Sequence, residues 1–198
     1  MLIGVVSLRA RALCCGQHHR QRDVSSVEDM TSVLANCYAF NQNLNDWNTA
    51  SVTDMTGMFG NAFAFNQTVG KWDVSKVTSF QGWCYMCTAF NQPLNDWDTS
   101  SATSLYGVFW GSAYNQPLDQ WDTSSVTTMM DLFRSTMSFN QPLNTWDTSS
   151  VTDMMNLFYD ARAFNQPLDL WHTSSVTSST DVFYLASAMV SAKPPGIN

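Results

Sequence analysis

The 198 residues carry nine basic and sixteen acidic side chains, a formal net charge of −7, with charged residues making up 13% of the chain and aromatics another 13%. Charge at about half its usual share leaves a surface that is polar but mostly uncharged. Four of the basic residues (Arg9, Arg11, Arg20, Arg22) fall in the first 22 positions, so residues 23 onward set five basic against sixteen acidic side chains, a balance of −11 that argues against nucleic-acid binding through phosphate neutralisation.

In chain order, residues 1–22 come first. Their apolar run, Leu2 to Leu8, is followed by arginines instead of being preceded by them, the reverse of a secretory signal. Three readings stay open: a poor signal, an acid-free transit-type segment, or the start of a truncated chain. The segment is assigned as a leader or disordered N-terminal segment outside the fold. No stretch of 18 apolar residues follows anywhere, which predicts a chain that does not span a membrane.

From residue 23 to 190 the chain is one unit copied six times. Trp47, Trp72, Trp97, Trp121, Trp146 and Trp171 are separated by 25, 25, 24, 25 and 25 residues. A fixed period of this length indicates a solenoid whose units bury apolar faces against their neighbours. Alignment on tryptophan gives apolar columns: Phe40 to Phe164 (Tyr114 in the fourth copy), Leu44 to Leu168, Val52 to Val176, Met55 to Met154 with Ser179 breaking the last copy, and a final pair such as Met58-Phe59 or Leu157-Phe158. The 24-residue step comes from one residue missing between Phe109 and Tyr114, in a connecting loop. Residues 191–198 form a C-terminal tail, and neither end shows a polar cap, as expected of a truncated array.

Each unit reads as two parts. Val151, Met154, Leu157 and Phe158 follow the stripe of a short helix, with Ser150 and Asp153 placed like a capping box, as are Ser51 and Asp54 or Ser26 and Asp29. The Gln-Pro-Leu-Asn-Asp-Trp half is too short for a helix and its proline blocks one, which predicts a short strand around Leu-x-x-Trp pairing in parallel between coils. The expected fold is therefore an α/β solenoid, a right-handed coil with one short parallel strand and one short helix per 25-residue repeat.

The phrase Trp-Asp-Thr-Ser-Ser-Val-Thr-x-Met-x-x-x-Phe, followed by Phe-Asn-Gln-Pro-Leu, resembles the repeat of the BspA-like leucine-rich-repeat surface proteins, with relatives among mycoplasma lipoproteins and in algae and protists. The resemblance covers residues 24 to 190. It implies a leucine-rich-repeat-like coil, an extracellular or cell-surface location, and adhesion or protein binding. It carries over no catalytic residue and no cofactor.

The recurring polar groups point to structure. The Asn-Gln column, from Asn41-Gln42 to Asn165-Gln166, reads as a stacked amide ladder. The carboxylates after tryptophan (Asp73, Asp98, Asp122, Asp147, with Asn48 and His172 in the same slot) read as turn formers in preference to a calcium column. Cys84-Tyr-Met-Cys87 has the spacing of half a zinc site or of a redox motif, but no second pair or nearby histidine completes it; it reads as buried free thiols, and no metal site is assigned. His18, His19 and His172 belong to no catalytic constellation, and no enzyme is expected. Recognition is instead expected on side chains that vary between Leu and Trp: Asn45, Lys71, Asp96, Gln120, Thr145 and Asp169. The expected function is a non-enzymatic scaffold for protein–protein interaction or cell-surface adhesion. A glycan-binding or glycan-processing surface protein is the alternative, favoured by an exposed aromatic track for which Trp110 and Tyr159 are the candidates.

Overall fold

The computed structural model describes residues 23–197; the leader assigned to 1–22 lies outside them. Seven coils stack in parallel register. Asp29 bridges Asp54, Asp54 bridges Ser79, and the series continues through Ser104, Thr128 and Asp153 to Ser178. Coils 1 to 6 span 23–47, 48–72, 73–97, 98–121, 122–146 and 147–171, each closing on a tryptophan, and coil 7 spans 172–197.

The expected helix and strand are both corrected. Among the described residues there is no helix, and strand pairing is limited to single bridges. In coil 2 the Met58 N–H donates to the Met55 carbonyl and the Ala62 N–H to the Phe59 carbonyl. These close two four-residue turns whose third residues, Gly57 and Asn61, have φ of 60°. Positive φ at the third position marks a type II turn, and a helix needs φ near −63° at every residue. The same pair of turns recurs in coil 6, with Asn156 and Asp160 at φ of 55° and 56°. Turns of three to four residues present apolar side chains at nearly the helical period, so the Val151 to Phe158 stripe fitted either structure. The Leu-x-x-Trp segment is also a turn, in which the Trp121 N–H donates to the Leu118 carbonyl.

Parallel pairing lies instead in the stretch read as helix. Met55, Gly57, Phe59 and Asn61 donate their N–H groups to the carbonyls of Ser79, Gln81, Trp83 and Tyr85 in the next coil. These turns are thereby tied to those of the next coil by sheet-like bonds without an extended strand. The capping boxes dissolve too. Ser51 Oγ donates to the Ser25 carbonyl one coil back, while Asp54 Oδ1 accepts the Thr56 N–H within its own turn.

The aligned apolar columns do form one continuous core. Trp97, Trp121 and Trp146 stack at 6.4 Å between successive ring centroids, tilted by 4°. Each indole N–H reaches back to the preceding coil; Trp146 Nε1 donates to the Leu118 carbonyl at 2.8 Å. Within a coil, Phe133 stacks on Phe139 at 4.0 Å. A buried hydroxyl column runs beside the rings, with Thr99, Thr123 and Thr148 each donating to the backbone carbonyl of the residue after the next tryptophan position, Asp122, Asp147 and His172. The missing residue of coil 4 is absorbed where Ser112 Oγ accepts the Tyr114 N–H, and the bridge from Ser104 to Thr128 is undisturbed. The tail segment 191–197 packs on the last coils: Ile197 and Pro194 are buried, and the Leu168 N–H donates to the Ala192 carbonyl.

Candidate binding face

Of the six residues expected to form the variable face, Asn45 is half-buried and the other five are exposed. Asn45 accepts the Lys71 N–H on its side-chain oxygen, and Asp169 accepts from Asn144 Nδ2, so both are rungs between coils. Lys71 Nζ lies 3.9 Å from Asp46, both largely in solvent, a pair that contributes little. Thr145 Oγ1 donates to the Asp119 carbonyl and Gln120 Nε2 to Asp119.

The structure singles out a different line of side chains, one position beyond the aligned Phe59 column. Successive coils place Ala35, Gly60, Tyr85, Trp110, Arg134, Tyr159 and Tyr184 there. Tyr85 stands edge-to-face to Trp110 with centroids 5.0 Å apart. The Arg134 guanidinium lies between two rings, 4.6 Å from the Trp110 centroid and 4.7 Å from that of Tyr159. Tyr159 in turn meets Tyr184 at 5.1 Å. Stacking of this kind contributes about 0.5–1 kcal/mol per exposed cation–ring contact. Arg134 is also paired: its Nη1 is 3.1 Å from Oδ1 of the buried Asp131, which accepts from Asn156 Nδ2 as well. Trp110 and Tyr159 were visible in the sequence as departures from the repeat; the intervening Arg134 was not, because a single arginine gives no periodic signal.

Where the column lacks side chains, at Ala35 and Gly60, the surface opens into a groove of about 350 Å³. Its floor includes Gly57, Gly82 and Gly107, at φ of 60°, 59° and 61°, and its walls include Tyr85, Tyr106 and Trp110. The third position of a type II turn favours glycine, and in coils 5 to 7 the same slot holds Asp131, Asn156 and Asp181. Turn chemistry thus strips side chains from one end of the face.

The remaining constellations are structural. Asp73, Asp122 and Asp147 each accept the N–H of the residue two positions on, at Ser75, Ser124 and Ser149. The serine hydroxyl and N–H together hold these carboxyls below the ordinary carboxylate value. The amide ladder runs from coil to coil: Asn140 Oδ1 accepts the Asn165 N–H and Gln166 Nε2. The reading of buried thiols needs correction, since Cys84 and Cys87 are buried but joined as a disulfide across one turn, and Cys37 is disulfide-bonded as well. Among the described residues no group of acids, histidines and cysteines is placed to hold a metal, and no helix is long and apolar enough to cross a membrane.

Two overlapping stretches, residues 10–113 and 95–193, match one family model, described as Mycoplasma protein of unknown function, DUF285. It is a repeat-type family. No curated protein and no solved structure matches the chain.

Proposed function

The chain belongs to the family of Mycoplasma proteins of unknown function, DUF285, and we propose that it is a non-enzymatic binding scaffold of BspA-like surface type, acting in adhesion. The observation that carries the reading is the column from Tyr85 to Tyr184, where tyrosine, tryptophan and arginine side chains of successive coils touch one another on the surface. Large rings fixed on a rigid backbone are favoured recognition groups, because little conformational freedom remains to be lost on binding. The fixed columns, by contrast, are consumed by stacking and by bonds between coils.

The test is adhesion of the immobilised chain to extracellular-matrix proteins and to cell surfaces. Trp110→Ala with Tyr159→Ala is expected to weaken binding about tenfold or more, as at interface hot spots. Alanine at Lys71, Asp96, Gln120 and Thr145 together is expected to change it by about threefold or less, the range of rim contacts. The reverse ranking would return recognition to the face beside tryptophan. Absence of any ligand would sink the scaffold reading.

A further inference from the structure

We propose that the groove on coils 1 to 4 is a binding site for an uncharged oligosaccharide. The proposal rests on the scaffold reading and adds the ligand's chemistry.

Charge is the first discriminator. The ten residues lining the groove include no acid and no base. The guanidinium beyond its wall, Arg134, is neutralised by Asp131 and covered by two rings. A phosphorylated or sulfated ligand would therefore find no cation in the groove and would face a chain whose balance from residue 23 on is −11. A cationic ligand would find no carboxylate there.

Backbone valence is the second. A peptide strand docking on a sheet edge needs free main-chain donors and acceptors. The groove floor has spent its own: Gly57, Gly82 and Gly107 donate their N–H groups to the carbonyls of Gln81, Tyr106 and Met130, and their carbonyls accept from Gly60, Tyr85 and Trp110. Recognition must come from side chains.

Those side chains are aromatic, amide and hydroxyl. Tyr85 and Trp110 meet at 81°, so their rings make a corner, and Tyr106 adds a third aromatic wall. Ser32 supplies a hydroxyl, and Asn61 supplies an amide whose Nδ2 donates to Asn36 while its Oδ1 stays available as an acceptor. Apolar surface with a few placed polar groups is the make-up of a small-molecule site. A sugar ring matches it, with C–H faces for the rings and hydroxyl edges for Ser32, Asn61 and the tyrosine hydroxyls.

The experiment screens the full chain on an array of neutral gluco-, manno-, galacto- and N-acetylglucosamine oligosaccharides, with sulfated and sialylated glycans as charged arms, followed by calorimetry on the best neutral ligand. Gly60→Tyr fills the groove with the residue that the same position carries in coils 3, 6 and 7, and an added Cβ would meet the Gly57 carbonyl at 3.3 Å, a contact that needs only a small shift. Ala35→Tyr fills the other end should Gly60→Tyr fold poorly. The expected result is binding confined to neutral glycans and lost about tenfold or more in either filled variant, as when a hot-spot pocket is blocked. Preference for charged glycans, or undiminished affinity in a well-folded filled variant, overturns the proposal. If no glycan binds while matrix adhesion persists, the ligand class is wrong and the scaffold stands; if both fail, the scaffold falls as well.

Discussion

Trp121 Nε1 donates to the Leu94 carbonyl of the preceding coil at 2.9 Å, while its ring stacks between Trp97 and Trp146. One side chain thus joins three coils by two different forces, dispersion along the stack and a buried hydrogen bond across it. Trp121→Ala removes both and is expected to destabilise the chain by about 3–5 kcal/mol, the range for a buried aromatic emptied from a core. Trp121→Phe keeps part of the stack but orphans the Leu94 carbonyl, for a smaller loss of about 1–3 kcal/mol. Chemical denaturation measures both. A loss below about 1 kcal/mol for the alanine variant would contradict a load shared along the tryptophan column.

Gly111 sits at φ of +67°, and a Cβ placed there would overlap Met86 Sδ in the coil before. Gly111→Ala therefore combines left-handed strain of about 1–2 kcal/mol with displacement of a neighbour. Met86→Ala removes the obstructing sulfur, so Gly111→Ala is expected to cost less in that background. A double-mutant cycle reads the coupling. Strict additivity would show that backbone strain alone sets the cost.

How far the sequence disclosed this depends on what each position must satisfy. The 25-residue period and the apolar columns were legible because Phe139, Leu143, Trp146 and Val151 each meet their own counterparts one coil away, and stacking demands identity. The helix was misread because Val151, Met154, Leu157 and Phe158 satisfy turns and helices alike. The discriminating residues lay between them: Gly57, Gly82, Gly107, Asp131 and Asn156 form a column of residues tolerant of positive φ, which an apolar alignment passes over. The Asn-Gln ladder and the aspartate turns were legible since their chemistry is local or repeated. The groove was not, because it is made by absence, at Ala35 and Gly60, in a column that holds no single residue type through the coils.

Acid should unfold the coils partly through the aspartate turns. Asp73, Asp122 and Asp147 have folded pKa values held below the ordinary 3.8 by the side-chain and backbone bonds from Ser75, Ser124 and Ser149. A depressed folded pKa adds stability that is fully present above the unfolded value and is lost as pH falls through the folded one. The melting temperature is thus expected to decline below about pH 4. Asp73→Asn, Asp122→Asn and Asp147→Asn together keep the turn acceptor, as Asn48 does for the Ala50 N–H at 3.2 Å, but bind no proton. The triple variant should show a shallower decline than the unaltered chain. Identical acid limbs would mean that these carboxylates are not the groups being titrated.

Tyr114 stands in a column otherwise filled by phenylalanine, and its buried hydroxyl has no hydrogen-bond partner. The Leu94 backbone acts on the phenol oxygen in the sense of an N–H donor, lowering the pKa against the larger effect of burial, and does nothing for the phenol's own proton; the Leu94 carbonyl accepts the Trp121 indole N–H. Burial pushes the phenol pKa up, so the group stays neutral and carries the desolvation cost of an unmet donor. The ring itself is well placed, stacked 4.1 Å from Phe109 and 6.1 Å from Phe90. Tyr114→Phe keeps that stack and deletes the orphaned hydroxyl, as Phe90 and Phe139 show the column permits. The variant is expected to be as stable as the parent or more stable by about 1 kcal/mol, since removal of an unsatisfied buried polar group recovers its desolvation penalty. Thermal unfolding of the two proteins side by side decides it. A loss of about 1 kcal/mol or more would mean that the hydroxyl finds a partner in solution, a bound water or the Leu94 carbonyl shared with Trp121.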